Sequence, residues 1–302
     1  MTQDLLLLAF DEEAPLARSL AEALDCRLAF VQRHRFPDGE LRLVLPKPLP
    51  PQVVLLRGLQ QPNEKLVELL IAAPTARELG AERLLLVSPY LAYMRQDMEF
   101  TPGEAVSQRH IARLLSQHFD SVITIDPHLH RIASLDEVMP RGQGLALSAA
   151  ALLGRWISEQ VPDALLIGPD EESGQWVSEA AAAGGLAHAI GRKVRHGDAA
   201  VVLALPDVAV QGRAVVLLDD MASTGRTLIG AAQQLLARGA ASVDVAVTHA
   251  LFNGDALPAL QAAGVRHVWS SNTVPHESNA VSVVPLLRTA VLQSLPRPAG
   301  EK

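Results

Sequence analysis

Cysteine is almost missing from this chain of 302 residues, where Cys26 stands alone. A single thiol excludes an intrachain disulfide framework and a multi-cysteine zinc site. Long apolar runs are missing too; none approaches the ~18 residues of a membrane span, so no transmembrane segment is expected. Positive charge is in deficit. The formal net charge is −7 and the basic residues are scattered, which argues against a protein held on nucleic acid by phosphate contacts. The opening Met1-Thr2-Gln3-Asp4 has no basic n-region and reaches Asp11, Glu12 and Glu13 after one short apolar stretch, unlike a secretory leader. What is present is 49% hydrophobic and 20% charged, enough for a sizeable core. At about 150 residues per domain the length suggests two domains, and the expectation is a cytoplasmic protein with an α/β core.

Short aliphatic runs alternate with longer amphipathic ones. Residues 5–10, 53–56, 84–87 and 122–125 read as strands, with helices over 14–24, 63–79 and 107–117. Pro74 is expected to kink or interrupt the second helix. The rhythm returns with strands over 164–167, 214–218, 242–247 and 267–270 and helices over 174–183 and 227–238. Such alternation implies mainly parallel sheets with crossover helices, and weakly suggests two related halves. The turn-rich Met139-Pro140-Arg141-Gly142-Gln143-Gly144 places a joint near residue 146. The domains expected are therefore 1–146 and 147–281. The segment 282–302 is free to pack back on the first, with a frayed tail from 297.

The most informative stretch is Asp219-Asp220-Met221-Ala222-Ser223-Thr224-Gly225-Arg226-Thr227, between an aliphatic strand and a helix. The carboxyl end of a strand in an open α/β sheet is where ligands bind. A helix start presents unpaired N–H groups and the positive dipole end to an anion. Ser223, Thr224 and Thr227 add hydroxyl donors, and Gly225 lets the backbone close in. The two carboxylates suit the vicinal diol of a sugar or a divalent cation, so the pattern reads as a sugar-phosphate pocket. The plain alternative is a helix cap.

Other stretches carry chemistry beside an ordinary reading. Phe36-Pro37-Asp38-Gly39-Glu40, after Arg33, His34 and Arg35, is a turn into the strand 41–45. The run 88–97 holds both tyrosines and then Arg95, Gln96 and Asp97; these suit a nucleotide, with Arg95 toward phosphates, or an exposed ion pair. Asp126-Pro127-His128-Leu129-His130 ends a strand with imidazoles able to ligate a metal or donate to a phosphate. Pro169-Asp170-Glu171-Glu172-Ser173 opens a helix, where acids cap or bind a cation. Arg192, Lys193, Arg195 and His196 form a cationic stretch. It is expected to be a mobile loop, either a solvated run or one that closes over a transferring group.

The 219–227 segment resembles the phosphoribosyl-pyrophosphate loop of type I phosphoribosyltransferases. Its neighbours narrow the resemblance to the ribose-phosphate diphosphokinase family, whose motifs follow in matching order over residues 30–280. Thr248-His249 and Ser271-Asn272-Thr273-Val274-Pro275 look familial as well. The resemblance implies two Rossmann-like phosphoribosyltransferase-type domains with mainly parallel sheets. It implies transfer of the diphosphate of Mg²⁺-ATP to ribose 5-phosphate, giving phosphoribosyl pyrophosphate and AMP. Phe36, Asp38 and Glu40 would serve the adenine pocket of a neighbouring subunit, which requires a homo-oligomer. Arg95, Gln96, Asp97 and His128 would bind ATP, with His128 preferred to His130, and His128 and Asp170 would ligate Mg²⁺. Lys193 would be catalytic with Arg195 in support. Asp219, Asp220, Ser223, Thr224, Gly225, Arg226 and Thr227 would bind ribose 5-phosphate. No nucleic-acid or membrane partner is implied.

The sequence also departs from the family. Met98-Glu99-Phe100 replaces basic residues, Glu171-Glu172-Ser173 replaces a glycine-rich turn, and Arg192 stands for an acid. Ser223 stands for Asp and Arg226 for Gly. A non-catalytic regulatory paralogue, a phosphoribosyltransferase and a kinase of the same fold acting on another pentose phosphate remain open.

Overall fold

A run of aliphatic residues too short for a helix gains most by pairing on both edges and burying both faces, and the computed structural model does this twice. It describes residues 4–129, 131–196, 200–204 and 208–296; the side chains of 193–196 and 200–204 lie outside that description. The chain divides into two units, Met1–Leu147 with Val284–Lys302, and Ser148–Val283.

The first unit runs β1 (Leu5–Ala9), α1 (Ala14–Leu24), β2 (Arg27–Phe30), β3 (Gln32–Arg35), β4 (Leu41–Val44), β5 (Gln52–Leu56), α2 (Pro62–Glu78), β6 (Arg83–Ser88), α3 (Ser107–His118), β7 (Ser121–Ile125) and β8 (Gln143–Leu147). Its six-stranded sheet has the order β2-β1-β5-β6-β7-β8, every pair parallel. The antiparallel hairpin β3–β4 stands apart from it. Leu6, Leu8, Val53, Leu55, Leu84 and Leu86 from alternate sheet positions meet Leu69, Ala72, Ala73 and Ala76 of α2 in one core. Each leucine or valine among them contributes about 1.5–3 kcal/mol of burial. That packing holds α2 as a single element through Pro74, where the sequence led us to expect a break.

The second unit runs α4 (Ala150–Gln160), β9 (Leu165–Gly168), α5 (Gly174–Gly184), β10 (Ala187–Ile190), β11 (Arg192–His196), β12 (Ala200–Ala204), β13 (Ala214–Ala222), α6 (Arg226–Ala237), β14 (Ser242–Ala250), α7 (Ala256–Ala262), β15 (Val265–Ser271) and β16 (Asn279–Val281). Its sheet order, β10-β9-β13-β14-β15-β16, repeats that of the first unit, again all parallel. The register of the repeat is close: a constant 160 residues separates Ala14 from Gly174, Arg27 from Ala187 and Gln32 from Arg192, each the first residue of its element. Helices α4 and α5 approach so closely that a Cβ on Gly154 would lie 2.0 Å from the Ala180 carbonyl oxygen. The last helix, α8 (Val284–Ser294), belongs to the first unit. It packs on α1, β6 and β7, and its Arg288 donates to the Ala23 carbonyl at 2.7 Å.

Three segments differ from the expectations. Arg192–His196 is not a loop but a strand, paired antiparallel with Ala200–Ala204. Strand β13 runs past Leu218 to Ala222, so Asp219 and Asp220 lie within it; Asp219 pairs with Val247 and Met221 with His249. The hairpin residues 32–35, unread from sequence, form a fully exposed strand. Among the described residues no helix is long and apolar enough to cross a membrane.

One charged cluster lies inside the first unit. Arg57, 0% exposed just beyond β5, donates to Glu13 at 2.8 Å and pairs with Glu68 of α2. Its guanidinium sits 4.2 Å from the Phe10 ring centre. Arg33 of β3 donates to Glu68 and to Glu12, each at 2.6 Å, which ties the hairpin to the sheet edge. Burial, opposed by Arg57 and Lys65, pushes the Glu13 carboxyl up. Burial also raises Glu12, but the Arg33 hydrogen bond and the nearby guanidinium charges outweigh it and hold Glu12 at about 2 rather than 4.5.

Two outcomes follow. Arg57→Met removes the buried guanidinium between Glu13 and Glu68, leaving Glu13 with only Lys65 at 3.9 Å and Glu68 with Arg33, and should cost about 3–5 kcal/mol in denaturant unfolding. Because the folded-state pKa of Glu12 is depressed, its stabilisation is present above about pH 4.5 and lost as pH falls toward 2. Glu12→Gln should therefore be less stable than the parent at neutral pH, and the difference should close as pH falls from about 4.5 toward 2, flattening the acid limb in urea unfolding followed across that window.

Candidate functional site

In the first unit, adjacent strands β6 and β7 deliver two loops to one sheet edge. Past β6, Ser88 Oγ donates to the Tyr90 carbonyl at 2.9 Å. Tyr93, in the left-handed region at φ 66, hydrogen-bonds Asn63. Buried Gln108 of α3 donates to the Met94 carbonyl at 3.2 Å. This bracing leaves Arg95 exposed. Gln96 donates to the Met98 carbonyl at 3.0 Å. Asp97 turns inward, 5% exposed, and takes Arg131 at 2.6 Å. Past β7, Asp126 at φ 36 donates its N–H to the Leu147 carbonyl at 2.7 Å and leads to half-buried His128. His130 lies outside the described residues.

The hairpin turn at residues 36–40 follows β2, at the other end of the same sheet. The Phe36 N–H donates to the Glu40 carbonyl at 2.8 Å, and the Asp38 carboxylate accepts from the Glu40 N–H at 3.1 Å. Phe36 remains 39% exposed, with His34 edge-on to its ring at 4.8 Å. Beside it a cleft of about 340 Å³ is lined by Arg35, Glu40, Leu41, Glu64, Val67 and Ile71. The fold thus groups Arg95, Gln96 and His128 by topology and keeps Phe36, Asp38 and Glu40 apart from them on the same protomer.

In the second unit the edges of β9, β13 and β14 converge. Asp219 and Asp220 lie in the last stretch of β13, whose pairing with β14 continues to Ala222, and Asp170 follows β9. Asp220 is 3% and Asp170 6% exposed. Burial, then the charges of Asp220 and Asp170, pushes the Asp219 carboxyl well above its ordinary value. Asp170 also caps the short turn Glu171–Ser173, accepting from the Glu172 N–H at 3.0 Å and the Ser173 N–H at 3.3 Å. The capping role open in the sequence is therefore realised, and Glu171 meets Arg192 at the surface at 3.7 Å.

Beyond β13 the chain turns at Gly225, φ +68, straight into α6. That backbone angle is why glycine stands there. No side chain caps this helix, so its first N–H groups point outward uncapped by the protein, beside Thr224, Arg226 and Thr227, all exposed. Ser223 is tied to Asn253, past β14, by two bonds: the Asn253 backbone N–H donates to the Ser223 carbonyl at 3.2 Å and its Nδ2 to Ser223 Oγ at 3.0 Å. Sequence reading missed Asn253; its signal was the Asn-Gly turn at the end of the neighbouring strand. Thr248, His249, Ser271 and Thr273 form a buried network, with His249 Nδ1 2.9 Å from Thr273 Oγ1 and Ser271 Oγ donating to the Thr248 carbonyl at 2.7 Å. Lys193 and Arg195 lie on β11, their side chains outside the description.

The profile of the N-terminal domain of ribose phosphate pyrophosphokinase matches residues 5–118, and that of the phosphoribosyl synthetase-associated domain matches 202–292. The ribose-phosphate pyrophosphokinase of Methanopyrus kandleri is 38% identical over 95% of this chain and 98% of its own. That of Methanothermobacter thermautotrophicus is 32% identical over 90% and 94%. The crystal structure of phosphoribosylpyrophosphate synthetase from Mycobacterium smegmatis superposes with a TM-score of 0.83 at 26% identity, over 96% and 98% of the two chains.

The carboxylate cluster makes a pH-dependent prediction. With its folded-state pKa raised, Asp219 contributes stability that is present below its ordinary 3.8 and lost as pH rises through the folded value. Asp219→Asn should accordingly melt higher than the parent at pH 8, in chelator and without substrate. The gap should shrink toward pH 4; a pH-independent gap would mean that the cost of ionising Asp219, by burial and then by its neighbours' charges, is not the cause.

Proposed function

Because the chain belongs to the ribose-phosphate pyrophosphokinase family of enzymes, we propose that it transfers the β,γ-diphosphate of ATP to the 1-hydroxyl of ribose 5-phosphate. The observation that carries this reading is the end of β13, where two aspartates run into an uncapped helix start. Such a start binds an anion through its backbone N–H groups. The sugar's phosphate sits there, with the hydroxyls of Ser223, Thr224 and Thr227 and the Arg226 guanidinium around it. The ribose hydroxyls donate to Asp219 and Asp220.

On the first unit Arg95 and Gln96 meet the ATP phosphates, and Asp97 holds Arg131 to fix that loop. Phe36, Asp38 and Glu40 serve the adenine of a second copy. The sugar's 1-oxygen attacks the β-phosphorus in line and loses its proton as the new P–O bond forms. The bond from the β-phosphorus to the oxygen bridging the α-phosphorus breaks, and AMP leaves with the electron pair. Lys193 and Arg195 neutralise charge that moves between these oxygens, so no covalent enzyme intermediate is needed.

A divalent cation fits the donor set. Three carboxylates lie at one edge, burial and then the charges of Asp220 and Asp170 disfavour the ionised Asp219, and oxygen ligands are what Mg²⁺ prefers. Asp170 and His128 would hold it, and when bound it offsets charge on the phosphate oxygens. Among the described residues no group of three such side chains stands ready for a metal by itself.

Purified protein given Mg²⁺-ATP and ribose 5-phosphate should form AMP in step with sugar consumed; no AMP at any pH overturns the reading. Lys193→Ala should lower kcat by about 10²-fold with little change in the KM for ribose 5-phosphate. Equal loss in both would move Lys193 from charge stabilisation to substrate binding.

A further inference from the structure

We propose that Asn253 is a positioning residue for the sugar's phosphate, acting by directing the hydroxyl hydrogen of Ser223. The inference rests on the reading that the turn at residues 223–227 binds the phosphate of ribose 5-phosphate.

Strands β13 and β14 are parallel neighbours that end together, with Ala222 opposite Ala250. Their next residues therefore leave the sheet side by side, and Asn253 reaches Ser223 through two bonds. The backbone bond fixes the height of the loop. The side-chain bond has a chemical consequence. A serine hydroxyl has one hydrogen and two lone pairs. When the Asn253 amide donates to Ser223 Oγ, a lone pair is used and the hydrogen stays available. A hydroxyl that accepts one bond is also a better donor in the next, since hydrogen bonds in a chain polarise one another.

The segment carrying Asn253 is firmly backed. Helix α7 starts three residues later, and its Ala256 and Leu260 are buried. A Cβ on Gly225 would meet them at ordinary contact distances of 3.9 and 3.6 Å. The loop is thus braced from beneath at Gly225 and steered from the side at Ser223. Only a donor does this. A carboxylate at position 253 would draw the Ser223 hydrogen to itself and place a negative charge beside the anion.

The test is calorimetric titration of the full chain with ribose 5-phosphate, alongside steady-state kinetics. Asn253→Ala should weaken ribose 5-phosphate binding about tenfold, raise its KM to match, and leave kcat at saturation and the melting temperature close to the parent's. Asn253→Asp should weaken binding more at pH 8. Its deficit relative to the parent should close toward pH 4, where a protonated carboxyl donates again. Ser223→Ala should weaken binding, and adding Asn253→Ala to it should have no further effect. Additive losses, equal falls in kcat and KM-linked binding, or a pH-independent Asn253→Asp deficit would each overturn the proposal. If the parent itself binds no ribose 5-phosphate, the reading beneath falls with it. If the parent binds and Ser223→Ala weakens binding while Asn253→Ala does not, only this inference falls.

Discussion

Parallel pairing obliges every strand to deliver its carboxyl end to the same edge of its sheet, with the chain returning by a helix to start again. Both sheets obey this through six strands, so whatever chemistry the loops carry accumulates on one side. The obligation has a cost. Each strand-to-helix turn brings polar backbone groups and a positive helix end to that side, and something must satisfy them. Asp170 satisfies one turn from within, by capping. The turn before α6 has no such side-chain cap, so its first N–H groups are left for a partner from outside.

The two halves show the same frame treated in opposite ways. After β5 the first unit places Arg57, sealed against Glu13, Glu68 and the Phe10 ring. After β13 the second unit places Asp219, Asp220 and the glycine turn. At one position the charges are balanced internally; at the other, carboxylates repel one another while a donor-rich turn stays open. The unbalanced copy is where a cation and an anionic sugar would lower the energy of the protein as well as bind to it.

Much of this was legible in the sequence where the signal is local. Residues 14–24 read as a helix and form one with those bounds, because the apolar spacing and the burial agree. The aliphatic strands emerged for the same reason, most of them within a residue or two of their ends, while β13 and β14 run four and three residues past the reading. The anion-type turn was readable because strand, acids, hydroxyls, glycine and helix are contiguous. What escaped depends on distant pairing. Gln32–Arg35 has no apolar alternation and is a strand only through Leu41–Val44. Arg192–His196 reads as a cationic loop until Ala200–Ala204 lies beside it. Asp219 and Asp220 look like loop residues, yet the long partner β14 extends the ladder past them. The bond from Asn253 to Ser223 spans 30 positions, beyond any local pattern. Pro74 misled because its cost is local while the core that overrides it is not.

Helix α8 makes the first unit discontinuous: its last piece is synthesised only after residues 148–283 have been made. Until then the outer surface of β6, β7 and α1 lacks its cover, since Leu287, Ala290 and Val291 supply buried area there. During translation the amino-terminal half therefore waits in an incomplete form with apolar surface open to solvent, while the inserted half, continuous in the chain, is free to close first. The first unit thus cannot be completed until α8 has been made, and that helix acts as the clasp of a layer begun near the other terminus.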